Sequence, residues 1–504
     1  MRQRRNSPKK STEPRPSLWR RLTGPQRALA AIIGTYVVVF FGMAQRCYDV
    51  FGYDSGATAV YNNMLWWTLH GKPFLIAAMI TSESAKPISN LAAHAAYFWV
   101  FILPFYALFP GPSILFFLQA LALGMAAVPM YLIARKLLED EVAAVLLAAA
   151  YLLLPPLVSQ NLNQVQEPCF LPVLLLFVFY FFLERRYGLF LSFSAVALLN
   201  RENVPLAIMM FGVWALVERR SWKWVVVPIV CGAAYFWFVT FVAMPYFRQG
   251  ENWHVARMFG YLGSSAGEIF KNAALHPLVL VQHLFSSDNV RYVIFLVQPL
   301  GWILPFFALP CLVALPDLAI NLLSENTALK VIPWHYNVLT GTALFVSTLF
   351  AVRKIGLWQR RKYGEGRYLP VVACGLLVLS AAHWFLWFQP GYLRELPYQQ
   401  ALNHAIESIP KDVSVLSSVR IQARFSGRPR YDSLNVFEHQ PEYAKTFDYV
   451  LLDANERRFP PFVTQEFFDS FYKNPRYQLI FAEQNVFVFH RLGGESDWKA
   501  PPPS

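Results

Sequence analysis

Ionisable side chains with potential chemical roles are concentrated in the loops between strongly apolar runs of this sequence. Charged groups are costly at membrane depth, so those that stand at the ends of apolar runs are often functional. Carboxylates, amides and cations from separate loops are therefore predicted to converge on one face. In chain order, the candidate site residues are Asp54, Lys72, Lys86, His94, Glu167, Arg201, Glu202, His254, Arg257, His335 and Tyr336.

This set of side chains suits a phosphate- or pyrophosphate-linked substrate. Carboxylates can hold a hard divalent cation such as Mg²⁺ or Mn²⁺, which neutralises phosphate oxygens, while lysine and arginine hold the rest of the anion. A carboxylate could instead act as a general base on an acceptor hydroxyl. The residues alone leave both roles open.

Each candidate also has an ordinary structural interpretation. Asp54 could be a solvated loop carboxylate, and Glu167-Pro168 could simply start a helix, since proline and a carboxylate both favour a first turn. Arg201-Glu202 could be a local ion pair. The three histidines are typical of packing or capping groups, and the two lysines of contacts to lipid head groups. The aromatic residues of the first loop, Tyr61 among them, indicate an interfacial belt.

The composition places these loops in a membrane protein. Of the 504 residues, 56% are apolar or aromatic and 15% are charged, against about 25% charged in soluble domains. Runs such as 28–43 and 113–134 approach the roughly 20 apolar residues needed to cross a hydrocarbon core, and such runs recur to about residue 388. The sequence therefore predicts an α-helical polytopic membrane protein.

The net charge of +13 has a membrane explanation. Residues 1–27 hold nine Lys or Arg and one Glu, and a second basic cluster occupies 353–367. Basic residues beside membrane spans set orientation and contact anionic lipids, so membrane lipids are the expected partners and nucleic acid is not. Five cysteines are scattered singly, which indicates neither a disulfide framework nor a zinc site.

Placing every basic loop in the cytoplasm predicts about eleven crossings. The expected organisation is a basic cytoplasmic tail at 1–26 and a membrane domain at 27–388 with large outer loops at 46–112 and 245–290. The apolar run 92–109 does not fit this path, because counting it as a crossing would move Arg135-Lys136 to the wrong side. We therefore interpret 92–109 as interfacial or re-entrant.

The sequence changes character after residue 388. Charge rises, alternating patterns at 412–418 and 449–453 predict strands, 477–491 reads as a hairpin turning at 483–485, and helical spacing occupies 398–409. These patterns predict a small α/β domain at 389–492 on the extracytoplasmic side. The polar, proline-rich tail at 493–504 is typical of disorder.

Several segments resemble a family of uncharacterised bacterial and archaeal membrane proteins, DUF2079. They are 53–56, 63–74, His94 with 103–110, 201–203, 244–247, 335–336 and 409–415. The architecture also resembles the GT-C glycosyltransferase superfamily, which includes protein mannosyltransferases and the aminoarabinose transferase of lipid A. Those enzymes have a long first outer loop with interfacial helices and an acidic residue just after the first span.

The resemblance implies roles for particular residues. Asp54 and Glu167 would be the catalytic base and the carboxylates of a metal site for Mg²⁺ or Mn²⁺, and Lys72 or Lys86 would contact phosphate. The remaining candidates would bind substrate. The chain departs from the GT-C pattern in having Glu167-Pro168 where His-Pro is common, and in lacking a paired Asp-Asp or Asp-x-Asp in the first loop.

The predicted function is sugar transfer from a polyprenyl-phosphate donor to an acceptor at the outer face of a bacterial or archaeal cytoplasmic membrane. One alternative is a transporter or flippase of a lipid-linked or polar substrate, which would place ionisable groups near the bilayer midplane, often in repeated halves. Another is a non-catalytic membrane scaffold whose C-terminal domain recruits partners.

Overall fold

The computed structural model describes residues 22–52, 54–76, 87–248, 258–332, 334–363, 369–435, 441–456 and 464–493. These residues are predominantly helical. The helices up to residue 217 are α1 Gly24–Asp49, α2 Gly56–Leu69, α3 Leu103–Leu108, α4 Pro112–Met125, α5 Ala127–Leu138, α6 Glu141–Leu152, α7 Pro155–Leu162, α8 Leu171–Leu183, α9 Tyr187–Leu198 and α10 Val204–Val217.

Further helices follow in the second half of the chain. They are α11 Trp222–Phe238, α12 Met244–Arg248, α13 Ala266–Leu275, α14 Pro277–Leu284, α15 Ser287–Val297, α16 Cys311–Leu323, α17 Val338–Tyr363, α18 Leu369–Trp387, α19 Gln399–Glu407, α20 Gln422–Phe425, α21 Pro441–Ala444 and α22 Gln465–Tyr472. A π-helical turn, Val239–Ala243, joins α11 to α12.

Local sequence signals set several of these helix ends. The hydroxyl of Thr23 accepts from the Gln26 amide at 3.4 Å while the Gln26 side chain accepts from the Thr23 amide at 3.2 Å, a capping box that begins α1. The Asp140 carboxylate accepts from the Ala143 amide at 2.9 Å and begins α6. The first apolar run therefore becomes one 26-residue helix.

Length and apolar composition mark five helical segments that can cross a membrane: 24–49, 112–138, 222–248, 335–359 and 369–386. Helices α6 and α7 together form a further candidate that is bent by 48°, and α9, α10, α16 and the segment 167–183 are shorter apolar helices. These helices coincide with the predicted apolar runs. The number of crossings, about eleven, stays a prediction.

The run 92–109 is broken into short pieces. A 3₁₀ turn at Tyr97–Phe101 precedes α3, whose six residues rise only about 9 Å, far less than a hydrocarbon core. Trp99 and Tyr106 are buried, whereas Leu108 and Phe109 are 72% and 66% exposed. This segment packs one face against the helices and presents the other outward, in the manner expected of an interfacial segment.

The C-terminal α/β region predicted from the sequence is confirmed. Its five strands are β3 Val415–Ser417, β4 Tyr431–Ser433, β5 Tyr449–Asp453, β6 Tyr477–Glu483 and β7 Val486–Arg491, after a short antiparallel pair, β1 Leu75–Ile76 and β2 Ile88–Ser89. The sheet order is β4-β3-β5-β7-β6. Strand β3 runs parallel to β4 and β5, and β7 runs antiparallel to β5 and β6. Gln484 and Asn485 take positive φ values at the hairpin turn.

The C-terminal region docks on α1 and α2. The Asn62 amide donates to the Ser426 hydroxyl at 2.8 Å, and the Asn63 amide donates to the Ser426 carbonyl at 2.9 Å. The Ser55 hydroxyl, at the start of α2, donates to the Arg420 carbonyl at 2.9 Å. Because these donors are buried, their hydrogen bonds fix the position of α2 beneath the sheet region.

A glycine makes this docking possible. A Cβ atom at Gly52 would lie 1.9 Å from the backbone oxygen of Tyr392. We expect Gly52→Ala to destabilise the junction by about 1–3 kcal/mol through overpacking, measured as faster proteolysis between the membrane helices and the C-terminal region. Gly188→Ala is the matched control, since a Cβ there meets nothing within 4 Å. Equal proteolysis of both variants would contradict this packing.

Candidate functional site

A buried carboxylate lies at the centre of the candidate site. Glu167 begins a 3₁₀ turn before α8, and its side chain is 1% exposed. Its Oε1 lies 3.5 Å from Nε of Arg201, and its Oε2 accepts a hydrogen bond from the Tyr61 hydroxyl. A charge removed from water to this extent requires a partner of opposite charge. Arg201 supplies it from the loop between α9 and α10.

Arg201 also joins a second carboxylate. Its Nε lies 3.6 Å from Oε1 of Glu202, and the same oxygen lies 3.1 Å from Nδ1 of His94. The backbone amide of Ala95 donates to the other Glu202 oxygen at 3.2 Å. One guanidinium therefore links two carboxylates, and residues 107 or 108 positions apart in the chain meet at the end of the bundle that carries the C-terminal region.

The charges in this network stabilise one another. Burial alone would raise the pKa of Glu202, but the His94 ring and the Arg201 guanidinium outweigh burial, so the pKa of Glu202 lies below its ordinary value. Burial alone would lower the pKa of Arg201, but Glu167 and Glu202 outweigh it and raise that pKa. Both groups are charged at neutral pH.

Aromatic rings border the cluster. The Arg201 guanidinium lies 5.4 Å from the centre of the Tyr336 ring, a cation–π distance, and the His335 and Tyr336 rings are 4.0 Å apart. Tyr61 stacks on Trp99 at 4.8 Å. The prediction that Tyr61 belongs to an interfacial belt is wrong, because its ring is 4% exposed and its hydroxyl is used by Glu167.

A second layer of hydrogen bonds holds the loop that carries Arg201. The Asn203 amide donates to Oδ1 of Asp317 at 2.6 Å, and the Thr340 hydroxyl donates to Oδ2 at 2.6 Å. Asp317 belongs to α16 and Thr340 to α17, so two helices fix this loop. The sequence showed a carboxylate in the apolar run at 311–323 but gave no sign of its partners.

Asp54 stands two residues before the start of α2 and has other partners. Its Oδ1 accepts from the Gly56 amide at 2.8 Å before the first turn, and burial raises its pKa to about 6, although that hydrogen bond lowers it. The nearby residues of the C-terminal region are Glu456, which interacts electrostatically with Asp54, and Arg420, whose Nε lies 3.9 Å from Glu456. Asp54 is thus half-buried at the junction rather than fully solvated.

Asp54 stands just before the first turn of α2, whereas Glu167 meets the second turn of the same helix. The two carboxylates have different hydrogen-bond partners. The Ala57 amide donates to Gln164 at 2.5 Å, and Tyr61, one turn later, reaches Glu167. Asp54 and Tyr61 are seven positions apart, roughly 10 Å along the helix axis at 1.5 Å per residue. Within the described ranges no group of three or more His, Cys, Asp or Glu side chains is arranged to hold a metal ion. The metal site at Asp54 and Glu167 stays a prediction.

The structure brings His94, Glu167, Arg201, Glu202, His335 and Tyr336 into one cluster. It places Lys72 elsewhere, at the far end of α2, where the ammonium lies 4.8 Å from the Trp67 ring centre. Lys86, His254 and Arg257 lie outside the described residues.

The fold is that of the GT-C glycosyltransferases. ArnT from Cupriavidus metallidurans bound to undecaprenyl phosphate superposes with a TM-score of 0.51 at 12% identity, covering 90% of this chain and 98% of that one. Archaeal oligosaccharyltransferase AglB from Archaeoglobus fulgidus, in complex with an inhibitory peptide and a dolichol-phosphate, has a TM-score of 0.44 at 12% identity. The match covers 85% of this chain and 69% of that one. The complex of an Archaeoglobus fulgidus oligosaccharyltransferase with Zn and sulfate has a TM-score of 0.45 at 12% identity. That match covers 90% of this chain and 73% of that one.

The sequence assigns the chain to a family. Residues 50–484 match the family described as predicted membrane protein (DUF2079), and the chain belongs to it. A comparison with curated proteins gives no match. The family match and the apolar helices together place the protein in a membrane.

Proposed function

We propose that this protein is a GT-C-like glycosyltransferase that moves a sugar from a polyprenyl-phosphate donor to an acceptor at the outer face of the membrane. The observation that carries the proposal is the cluster of Glu167, Arg201, Glu202 and His94, which three separate segments of the chain build on a GT-C fold. The undecaprenyl phosphate bound to ArnT supports the class of donor.

Arg201 is the proposed phosphate contact. Its planar guanidinium can bind a phosphate through two parallel N–H groups, and its Nη2 lies 3.4 Å from Nε2 of His94, which helps to fix its orientation. Glu167 and Glu202 hold the guanidinium in place from one side. The adjoining rings of His335 and Tyr336 are the proposed surface for the sugar.

Asp54 is the proposed general base. Its carboxylate takes the proton from the acceptor hydroxyl as that oxygen bonds to the anomeric carbon, and the bond from that carbon to the phosphate oxygen breaks. The electron pair leaves with the polyprenyl phosphate, and the anomeric configuration inverts. A base with a pKa of about 6 is suited to this task near neutral pH. The acceptor would then enter at the junction with the C-terminal region.

No step is assigned to Mg²⁺ or Mn²⁺, because Asp54 and Glu167 take different partners and Arg201 already meets Glu167. We therefore propose that the Arg201 guanidinium supplies the positive charge that neutralises the donor phosphate. The basic N-terminal tail and the basic cluster at 353–367 support a cytoplasmic N-terminus and an extracytoplasmic C-terminal region.

The direct test is transfer by the purified protein in lipid vesicles, supplied with radiolabelled undecaprenyl-phosphate sugars and membrane extract as acceptor. We expect labelled product to form only with the protein present. A panel of donors that all remain unconsumed would contradict the proposal.

We also expect the transfer rate to fall as the pH falls through about 6. The pKa of Asp54 is raised by burial to about 6, so below that pH its carboxyl carries a proton and cannot accept another. The measurement is kcat/KM from pH 5 to 8, which reports groups of the free enzyme. A rate that is flat across this range would contradict Asp54 as the base.

The bend between α6 and α7 supports one other function. Broken helices are common in transporters, where they line a substrate path, and this pair bends by 48°. A transporter would move labelled lipid-linked sugar across a vesicle without consuming it, so the same vesicles distinguish the two functions.

A further inference from the structure

An apolar cavity of about 540 Å³ lies between the Tyr97 segment and the end of α11. Its walls include Tyr97, Leu199, Tyr235, Phe238 and Ala243. Volumes of this order are typical of sites for small molecules and cofactors. None of the candidate site residues that the structure describes lines it, so the cavity is distinct from the charged cluster.

The cavity opens sideways along a candidate membrane span. The π-helical turn at Val239–Ala243 widens the helix here and contributes Ala243 to the wall; such turns are frequent at functional sites. Two further wall residues, Phe238 and Tyr246, are 48% and 76% exposed. Because the segment 222–248 is apolar enough to cross a membrane, a lipid chain could enter from the bilayer.

The cavity reaches toward the charged cluster at one end. Leu199 in its wall is two residues before Arg201, and the buried Ala95, whose amide donates to Glu202, packs beside Tyr97 and Tyr235. The cavity is therefore a neighbour of the charged cluster, to which Ala95 and Leu199 connect it.

A buried cation stands where the cavity wall ends. Arg248 follows the wall residue Phe247 and is only 6% exposed. Its Nε donates to the Ala92 carbonyl at 2.9 Å, while its Nη2 has no hydrogen-bond partner in the part of the chain that the structure describes. The negative charge of Glu202 interacts electrostatically with the Arg248 guanidinium. A buried guanidinium nitrogen without a partner is costly, which points to an anionic ligand.

We infer that this cavity holds the isoprenoid chain of the polyprenyl phosphate and that Arg248 donates a hydrogen bond to its phosphate. The inference rests on the proposed function. Charge complementarity carries it: an open apolar cavity adjoins Arg248, whose buried Nη2 has no hydrogen-bond partner among the described residues, and an apolar chain with one anionic end fits that arrangement. Arg248 is thus a binding residue in addition to those predicted from the sequence.

The test uses photoaffinity labelling in phosphatidylethanolamine vesicles. The probe is undecaprenyl phosphate with a photoreactive group on its chain, and labelled peptides are located by mass spectrometry. We expect labelling within 235–247, suppressed by unlabelled undecaprenyl phosphate but not by phosphatidic acid. Equal suppression by phosphatidic acid would overturn the inference, because the cavity would then hold any anionic membrane lipid.

Two variants with matched controls make the test sharper. Ala243→Trp fills the cavity and is expected to abolish labelling, whereas Cys231→Trp, on an exposed part of the same helix, leaves it intact. Arg248→Gln removes the charge and is expected to weaken probe binding roughly ten- to a hundredfold. Arg46→Gln, at an exposed ion pair with Glu395, is its control. Unchanged labelling in Ala243→Trp would overturn the inference.

The same experiment separates this inference from the proposed function. Labelling that behaves as expected in a protein that transfers no sugar would support the lipid site while the glycosyltransferase proposal fails. Sugar transfer by a protein whose cavity is never labelled would overturn the lipid site while the glycosyltransferase proposal stands.

Discussion

Asp54→Asn is expected to lower the rate of sugar transfer by about 10²- to 10⁴-fold, the usual contribution of a positioned general base. Asparagine keeps the shape of the side chain and an oxygen that can accept from the Gly56 amide, as Asp54 does at 2.8 Å. It cannot take a proton from an acceptor hydroxyl. The measurement is kcat/KM in vesicles, and the fall in rate below pH 6 should vanish with the carboxyl.

Asp49→Asn is the control for this substitution. Asp49 stands five residues earlier, and its side chain is 47% exposed, 3.6 Å from the guanidinium of Arg424. We expect this variant to retain the wild-type rate, because an exposed pair contributes little. Full transfer by Asp54→Asn would show that the proton goes elsewhere. If both variants and Glu167→Gln were silent while loss of residues 389–504 was not, a scaffold would be the better explanation.

Arg201→Met is expected to destabilise the protein by about 3–5 kcal/mol, the cost of leaving a buried charge without its partner. Glu167, with 1% of its side chain exposed, would lose the cation at 3.5 Å, and Glu202 would lose the same group at 3.6 Å. Transfer should be lost as well if the guanidinium binds phosphate. The stability measurement is denaturant unfolding in lipid or detergent.

The exposed pair of Arg135 and Glu141 supplies the control. Their atoms are 3.9 Å apart with 41% and 39% of the side chains exposed, so Arg135→Met should cost at most about 1 kcal/mol. Adding Glu167→Gln to Arg201→Met should restore part of the lost stability, because the uncompensated charge is removed. A double variant as unstable as the sum of the two single variants would contradict the ion pair as the cause.

Arg201 and Asp54 differ in how much of their environment the sequence reveals. Arg201 and Glu167 are visible in the sequence as charged residues beside apolar runs, and the structure joins them. Asp54 is also visible, yet its raised pKa depends on burial beneath the C-terminal region. The sequence therefore identified the charged residues of the cluster more completely than it predicted what each one contacts.

By itself the sequence determined the apolar helices, four of the five strands of the C-terminal sheet and most members of the charged cluster. Apolar runs and alternating patterns are local properties, and the cost of a charge at membrane depth is independent of which helices lie beside it. That is why His94, Glu167, Arg201, Glu202 and the pair His335-Tyr336 were identified without any knowledge of the packing.

Only the tertiary structure decided which of these groups meet. Helices that are apolar on every side can pack in many orientations, so the sequence does not specify that Tyr61 turns inward to Glu167 or that Asn203 reaches Asp317. Asp54 joined the C-terminal region, and the cavity beside Arg248 formed, through contacts between residues far apart in the chain. Such contacts depend on the packing of the whole bundle, which no local pattern encodes.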